Sequence, residues 1–191
     1  MDSRDAKELI AGAVPAGGGT WADMGAGQGA FTRALAERLG PAGTVYAVER
    51  DATAISVLRA RAKAEKLRVV AVQADFTTAD LELPGLGDTR LDGMLFANSL
   101  HYVRDTSAML VRAAAMLQPR GRVVIVEYDQ WEATRWVPYP LPPQRFHELA
   151  IGAGFSPPTV VATRPSVFGG RLYVAWTEPS KVDATRRSKN G

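Results

Sequence analysis

A glycine-rich loop between a predicted strand and a predicted helix is the first feature of this sequence that could do chemistry. An apolar strand over residues 20–24 runs into the sequence DMGAGQG at residues 23–29, and a helix begins near Ala30. Glycines let the backbone approach a ligand closely, and the first turn of a helix offers free N–H groups. Ligands of parallel sheets bind beyond the carboxyl ends of the strands, where this loop lies. The loop therefore predicts a site for a nucleoside-containing ligand.

Two kinds of nucleoside ligand are compatible with this loop. Gly25, Gly27 and Ala30 also match the dinucleotide-binding spacing, and Glu49 closes the next strand at a suitable distance to bind a ribose. Asp23 argues against a dinucleotide, because its carboxylate would face a doubly anionic pyrophosphate. The same carboxylate would attract a ligand that carries an ammonium and a sulfonium group. An NAD(P)-dependent oxidoreductase nevertheless stays open as an alternative.

Further motifs follow along the chain in an order that is typical of one enzyme family. They are QADF at residues 73–76 after the third predicted strand, LQPRG at residues 117–121 before the fifth, and a hairpin at the end of the sheet. Together with the glycine loop and Glu49, they resemble class I S-adenosylmethionine-dependent methyltransferases, most closely the small-molecule, ubiquinone-biosynthesis-like branch. The resemblance covers residues 20–177. It implies methyl transfer to a small molecule, with a non-catalytic S-adenosylmethionine-binding module as the alternative.

The resemblance also implies which residues hold S-adenosyl-L-methionine. Glu49 would bind both ribose hydroxyls, Asp75 would accept a hydrogen bond from the adenine amino group, and Phe76 would lie against the ring. Asn98, which ends the fourth predicted strand, would line the boundary between cofactor and substrate. The residues that would surround the methionine part of the cofactor are Asp23, Gly25 and Gly27.

Two residues are candidates for a role in catalysis. Methyl transfer from a sulfonium needs a general base only when the attacking atom must lose a proton. His101 follows the fourth predicted strand and Glu127 ends the fifth, so both are expected at the same edge of the sheet. Either could act as a base or bind the substrate. A lid would come from the N-terminal helix and from aromatic residues of the connection over residues 128–142, namely Trp131, Trp136 and Tyr139.

The charge distribution argues against a nucleic-acid partner. The chain has 23 Lys and Arg against 20 Asp and Glu, and its pI is about 9.4. Residues 180–191 carry four of these bases and one acid, which leaves 19 of each sign in residues 1–179. Nucleic-acid binding needs clustered Lys and Arg, so we expect a small-molecule partner, and neither nucleic acid nor membrane. With no cysteine and no secretory pattern, a cytoplasmic protein without a metal site is expected.

Alternating apolar runs and helix-length segments predict the fold. Strands are expected at residues 20–24, 44–49, 67–73, 91–98 and 122–127, with helices between them. A closing antiparallel hairpin is expected from strands at 159–163 and 172–177 on either side of Gly169 and Gly170. This alternation is typical of an α/β protein, here a single doubly wound Rossmann-like domain with a mostly parallel seven-stranded sheet. The domain would span residues 1–179, followed by a basic, disordered tail at 180–191.

Overall fold

The computed structural model describes residues 3–78, 81–166 and 170–180 of the 191-residue chain. Its helices are α1 (Ser3–Ile10), α2 (Ala30–Leu39), α3 (Ala52–Ala64), α4 (Thr106–Met116) and α5 (Pro143–Gly152). Its strands are β1 (Gly19–Met24), β2 (Gly43–Glu49), β3 (Val69–Gln73), β4 (Leu91–Ala97), β5 (Leu117–Tyr128), β6 (Thr159–Pro165) and β7 (Arg171–Thr177). Short 3₁₀ turns cover Gly40–Ala42 and Leu100–Tyr102.

The strands form one seven-stranded sheet in the order β3-β2-β1-β4-β5-β7-β6. The pairs from β3 to β5 are all parallel, whereas β7 runs antiparallel to both of its neighbours. The order reverses at β1, so the ends of β1 and β4 form the crevice where ligands of such sheets bind. The predicted doubly wound Rossmann-like fold with an antiparallel C-terminal hairpin is confirmed.

Aspartates begin two of the helices, as their sequence positions suggest. The side chain of Asp51 accepts a hydrogen bond of 2.7 Å from the amide of Ala54, and Asp105 accepts one of 2.9 Å from the amide of Ala108. Each bond satisfies an N–H group that has no partner inside the helix. These caps fix where α3 and α4 start, and therefore where the loops after β2 and β4 end.

Strand β5 begins five residues earlier than the predicted start at residue 122. Leu117 pairs with Leu91, the register then shifts, and Arg122 pairs with Gly93. The extra residues contain Pro119 and Gly121, which the sequence suggested as a break between helix and strand. They form an irregularity within the strand instead, because pairing resumes on both sides of it.

The core lies on both faces of the sheet, and one glycine shows how tightly it packs. Trp21 of β1 is 2% exposed and lies over Gly93 of the neighbouring β4. A Cβ atom at position 93 would stand 2.4 Å from the indole ring. On the same face, the described part of α1 packs against α2, and Arg122 donates a 2.8 Å hydrogen bond to the carbonyl of Ala13 just after α1.

The C-terminal part of the described chain can be compared with the predicted domain boundary. The predicted turn at Gly169 and the tail at 181–191 lie outside the described residues. The amide of Ser180 donates a 2.9 Å hydrogen bond to the carbonyl of Gly154, so ordered contacts extend one residue past the predicted boundary at 179. Among the described residues, none of the helices combines the length and apolar character that crossing a bilayer requires. The same residues contain no cluster of three or more metal-ligating side chains.

Candidate active site

The glycine loop is held to the end of β2 by its own amides. The amides of Gly25 and Ala26 donate to the carbonyl of Val48 at 2.9 and 3.0 Å. The amide of Gly27 donates to Oε2 of Glu49 at 2.9 Å. Three successive N–H groups are therefore directed into the protein, and a carboxylate lies beside them. This arrangement does not suit the pyrophosphate of a dinucleotide.

Gly25 is required by the close approach of the loop to the segment after β4. Its φ is +82°, a left-handed value that favours glycine, and a Cβ atom there would lie 2.7 Å from the Cβ of Ser99. The hydroxyl of Ser99 donates to the carbonyl of Met24 at 2.5 Å. The floor of the crevice between β1 and β4 is thus closed by direct contact between the two loops.

Asp23 lies beneath the loop and not at its mouth. Its side chain is 1% exposed and accepts a 2.6 Å hydrogen bond from the hydroxyl of Thr32 in α2. Burial raises the pKa of Asp23 from 3.8 to about 7; the bond from Thr32 works against this rise, and the nearby Glu49 adds to it. Direct contact between Asp23 and the methionine part of the cofactor stays a prediction.

A cavity of about 280 Å³ opens beyond the carboxyl ends of β1 to β4. Most of the residues predicted to bind the cofactor line it: Gly25, Glu49, Asp75, Phe76 and Asn98. The other two, Asp23 and Gly27, lie just below and beside it. A second cavity of about 300 Å³ lies between α2 and α3 and contains none of the predicted site residues.

The two acids of the cavity are held in place by backbone amides. Glu49 accepts from Gly27 through Oε2 and from the amide of Asp51 through Oε1, both at 2.9 Å. Asp75 accepts from the hydroxyl and the amide of Thr77 at 2.7 and 2.9 Å. These two bonds, with help from Arg50, hold the pKa of Asp75 below its usual value. Each carboxylate oxygen has a second lone pair, so both acids can still accept bonds from a ligand.

Asn98 and Phe76 complete the cavity on the side of β4. Asn98 adopts a left-handed conformation, with φ of +54°, while its amide donates a 2.8 Å hydrogen bond to the carbonyl of Val126. Its Oδ1 atom is buried and has no hydrogen-bond partner among the described residues. Phe76 packs edge-on against Phe96, with ring centroids 5.8 Å apart, so the residue belongs to the core as well as to the cavity.

His101 and Glu127, the two candidates for catalysis, are in direct contact. Nδ1 of His101 lies 2.6 Å from Oε2 of Glu127, and both side chains are almost completely buried. Oε1 of Glu127 accepts from the amides of Leu100 and His101 at 3.1 and 3.2 Å. The carboxylate thereby holds both the ring of His101 and the 3₁₀ turn that carries it. The sequence predicted that the two residues share an edge of the sheet, but not that they touch.

Tyrosines surround this pair. The rings of Tyr102 and Tyr128 lie 4.3 and 5.8 Å, centroid to centroid, from the ring of His101. Burial raises the pKa of Tyr128, and the charge of Glu127 and the proximity of Tyr102 raise it further. Tyr173, opposite Glu127 on β7, donates a 2.5 Å hydrogen bond to the carbonyl of Leu141, and its burial also raises its pKa.

The connection between β5 and α5 presents aromatic side chains to solvent. Trp131, Trp136 and Tyr139 are 61%, 69% and 37% exposed. The amide of Tyr139 donates a 3.0 Å hydrogen bond to the carbonyl of His101, which attaches the connection to the turn after β4. A lid formed by this segment stays a prediction, since none of the three aromatic residues lines the cavity. The same holds for the N-terminal helix, because the described residues of α1 do not line the cavity either.

Sequence reasoning did not assign a site role to Ser99 or Tyr102. Both line the cavity, and Tyr102 is 54% exposed. Their position in the turn that follows Asn98 is a usable signal, because a turn after a strand at the switch point of the sheet faces the ligand crevice. Arg50 and Thr77 follow Glu49 and Asp75 in the same way and also line the cavity.

The residues present fit S-adenosylmethionine. Glu49 and Asp75 place two acceptors where a nucleoside with ribose hydroxyls and an amino group would donate. The unpartnered Oδ1 of Asn98 offers a further acceptor, and an unpaired buried acceptor favours a ligand that donates to it. Negative charge from Glu49 and Asp75 suits a ligand with cationic groups.

Comparisons with known proteins agree with this geometry. The family model described as a methyltransferase domain matches residues 22–121. An uncharacterized methyltransferase of Mycobacterium bovis is 27% identical over 195 residues, which cover 90% of this chain and 93% of that protein. The structure of a SAM-dependent methyltransferase from Aquifex aeolicus aligns with a TM-score of 0.71 and 16% identity, over 92% of this chain and 90% of its own. Magnesium protoporphyrin IX methyltransferase from Synechocystis, solved with bound SAM, aligns with a TM-score of 0.67 and 16% identity. The alignment covers 93% of this chain and 79% of that chain.

The two solved structures show a shared fold, and the family model covers more than half of this chain. The ordered motifs, the strand order and the acids of the cavity lead to the same assignment. The chain belongs to the methyltransferase domain family and is a class I S-adenosylmethionine-dependent methyltransferase.

Proposed function

We propose that this enzyme methylates a small molecule that binds between the cofactor cavity and the aromatic connection after β5. The main observation in support of this proposal is the position of Tyr102, which lines the cavity and also contacts His101. An acceptor over Tyr102 would adjoin the cofactor, and the connection that bears Trp131 and Trp136 is attached to the same turn through the amide of Tyr139. A cytoplasmic location, as the sequence suggests, is part of the same proposal.

Charge supports a small-molecule acceptor over a nucleic acid. Residues 1–179 carry equal numbers of acidic and basic residues, and the cavity is lined by two acids and one arginine. Phosphate backbones require clustered cations for binding. The small-molecule branch suggested by the sequence motifs is consistent with this balance.

The enzyme's own residues have few tasks in such a reaction. When bound, S-adenosylmethionine supplies a methyl group on a positively charged sulfur. The protein binds the nucleoside through Glu49 and Asp75, orients the acceptor and excludes water from the crevice. Orientation alone is worth several kcal/mol of the barrier, on the order of 7 or more in well-aligned reactions.

The cofactor half of the proposal is tested by calorimetry on the full chain. S-adenosylhomocysteine should bind and raise the melting temperature, as linkage requires for a ligand of the folded state. NADH should produce neither effect, because the loop amides are used within the protein. Binding of NADH without any binding of S-adenosylhomocysteine would overturn the assignment of the cavity.

The acceptor half is tested with radiolabelled S-adenosylmethionine. The protein is incubated in parallel with a low-molecular-weight metabolite extract, with total RNA and with a protein fraction. Label should appear in the metabolite extract and stay at background in the other two. Label that appears in RNA or in protein alone would overturn the proposal that the acceptor is a small molecule.

A further inference from the structure

An arginine of α4 is bonded to the turn after β3. Nη1 of Arg112 donates a 3.0 Å hydrogen bond to the carbonyl of Thr77, which lies 35 residues earlier in the chain. Thr77 lines the cofactor cavity, whereas Arg112 does not. Arg112 therefore contacts a residue of the cavity without being part of the cavity itself.

Thr77 in turn holds the carboxylate of Asp75. Oδ1 of Asp75 accepts hydrogen bonds of 2.7 and 2.9 Å from the hydroxyl and the amide of Thr77. The backbone of the same turn is closed by Thr78, whose amide and hydroxyl donate to the carbonyl of Asp75 at 3.2 and 2.9 Å. Within the described part of the chain, both hydrogen bonds to this carboxylate come from Thr77. The position of Thr77 therefore decides where Oδ1 of Asp75 lies.

Helix α4 gives the turn a rigid support. Its residues Met109 and Leu110 are 2% and 0% exposed and belong to the core beside the sheet. Nη2 of Arg112 lies 3.2 Å from Sδ of Met109, so the guanidinium is placed against a buried side chain. Because close-packed cores resist deformation, a shift of Thr77 would break its bond to Arg112 before it moved the helix.

The stability of the fold gives little reason for a guanidinium at this place. Nε of Arg112 is buried and has no hydrogen-bond partner among the described residues, and a buried donor without a partner costs free energy. The sulfur of Met109 is a weak acceptor. The bond to Thr77 is thus the one strong hydrogen bond of Arg112 to the described residues, and its effect is to fix the turn that carries Asp75.

We propose that Arg112 is a positioning residue for the recognition of adenine, because its bond to Thr77 holds Asp75 where the carboxylate accepts from the amino group of the base. This inference rests on the proposed function, which binds the nucleoside through Glu49 and Asp75. It assigns a role in cofactor selection to a residue outside the cavity that the sequence motifs do not indicate.

A fixed carboxylate can distinguish adenine from hypoxanthine. Adenine carries an amino group at position 6 and donates a hydrogen bond there, whereas hypoxanthine carries a carbonyl oxygen that can only accept. An ionised carboxylate also only accepts, so Asp75 would bind the first base and repel the second. Sites that present a fixed polar group reject an analogue that cannot bond to it. A carboxylate that can turn away from the base loses this selectivity.

The first test compares two ligands by isothermal titration calorimetry on the full chain. The wild type should bind S-adenosylhomocysteine at least about tenfold more tightly than S-inosylhomocysteine, its hypoxanthine counterpart. Arg112→Met keeps an apolar stem of similar length and removes every donor. It should weaken S-adenosylhomocysteine about three- to tenfold, which corresponds to the loss of one hydrogen bond, and change S-inosylhomocysteine by less than about twofold.

Two further variants separate positioning from a general loss of structure. Arg112→Lys keeps the stem and the charge but lacks the planar fork, and its ratio of affinities should lie between those of the wild type and Arg112→Met. Arg90→Met is the matched control. Arg90 also donates one bond to a backbone carbonyl, that of Leu117 at 3.3 Å, and it does not line the cofactor cavity. This control should keep both wild-type affinities.

A double-mutant cycle tests whether Arg112 acts through Asp75. Asp75→Asn should already have lost the preference for S-adenosylhomocysteine. Adding Arg112→Met to Asp75→Asn should then change the ratio of affinities no further, since residues that act in one chain of contacts are not additive.

The free protein provides a second measurement that needs no ligand. The bonds from Thr77 hold the pKa of Asp75 below its usual value, so the pKa should rise in Arg112→Met if the turn is released. Carbon-13 NMR of the aspartate carboxyls measures this pKa, with Asp75→Asn to assign the signal. Salt of about 0.5 M screens the direct effect of the lost charge.

The outcomes separate this inference from the proposed function. If the wild type does not bind S-adenosylhomocysteine, the proposed function fails. If it binds both ligands equally well, or if Arg112→Met keeps the wild-type ratio or weakens both ligands alike, the role of Arg112 is refuted while the cofactor site stands. Should Arg112→Met lack a cooperative thermal transition, a wild-type ratio in Arg112→Lys refutes the role instead.

Discussion

The amide of Gly27 donates a 2.9 Å hydrogen bond to the carboxylate of Glu49, which joins the loop after β1 to the end of β2. One acid therefore has two tasks. It holds the glycine loop in shape, and it presents acceptors to the ribose of the cofactor. Any change at Glu49 should affect both the loop and the ligand, and the variant must be compared with one that removes an acid elsewhere.

Glu49→Ala should weaken binding of S-adenosylhomocysteine at least tenfold. Truncation leaves the ribose hydroxyls of the bound ligand without their acceptor, and an unpaired buried donor costs about 1–3 kcal/mol. It also frees the amides of Gly27 and Asp51, which loosens the loop. Isothermal titration calorimetry measures the dissociation constant, with the exposed Glu82→Ala as the control. An unchanged constant for Glu49→Ala would place the ribose elsewhere.

The stability of the protein should fall as the pH rises toward about 7, because of Asp23. Its folded-state pKa is raised from 3.8 to about 7 by burial, so the folded protein binds this proton more tightly than the unfolded chain. The contribution is fully present below the unfolded pKa and is lost as the pH rises through the folded one. Asp23→Asn keeps an acceptor for Thr32 and cannot ionise, so its free energy of unfolding should depend less on pH.

Urea unfolding at a series of pH values from about 5 to 8 measures this difference. The exposed Asp88→Asn serves as the control and should retain the wild-type pH dependence. Equal slopes for wild type and Asp23→Asn would show that Asp23 is already ionised throughout this range.

Gly25→Ala should destabilise the fold more than the matched variant Gly85→Ala. Both glycines have left-handed φ values, +82° and +77°, so alanine is strained at either position by about 1–2 kcal/mol. Only position 25 adds a clash, since its Cβ would lie 2.7 Å from Ser99, whereas nothing lies within 4 Å at position 85. The clash should lower the free energy of unfolding by about 1 kcal/mol more, which urea unfolding measures. Equal losses would mean that the loop after β4 moves aside freely.

Removal of the basic tail should leave the enzyme intact. A chain shortened after Ser180 keeps the hydrogen bond from Ser180 to Gly154, which a chain ending at Pro179 would lose. The shortened protein should match the full chain in melting temperature and in affinity for S-adenosylhomocysteine. Neither form should bind RNA beyond a weak background that salt abolishes. A tight RNA complex that disappears on truncation would contradict the small-molecule proposal.

The fold could be predicted from the sequence because its signals are local. Asp51 and Asp105 indicate where α3 and α4 begin, and apolar runs indicate the strands. The start of β5 was misplaced because Pro119 and Gly121 normally end regular structure, whereas here they lie in an irregularity that the neighbouring β4 accommodates. Whether β5 starts before or after these residues depends on its pairing with β4, and this pairing cannot be predicted from one segment of sequence.

The candidate site also has a part that the sequence predicts and a part that it does not. Glu49 ends β2, Asn98 directly follows β4 and Asp75 lies two residues after β3, so their position at the cavity was predictable. The burial of Asp23 depends on Thr32 in the following helix, and the contact between His101 and Glu127 depends on the register of β4 against β5. Such contacts join residues that are distant along the chain, and sequence patterns specify them only weakly.

The place of β7 in the sheet has a consequence for synthesis on the ribosome. Strands emerge in chain order, but β7 lies between β5 and β6. Every strand that lines the cofactor cavity is made before β5, whereas Glu127 acquires its neighbour Tyr173 only after β7 has emerged. A ribosome-bound chain therefore contains every strand of the nucleoside cavity before the strand that covers Glu127 has been made.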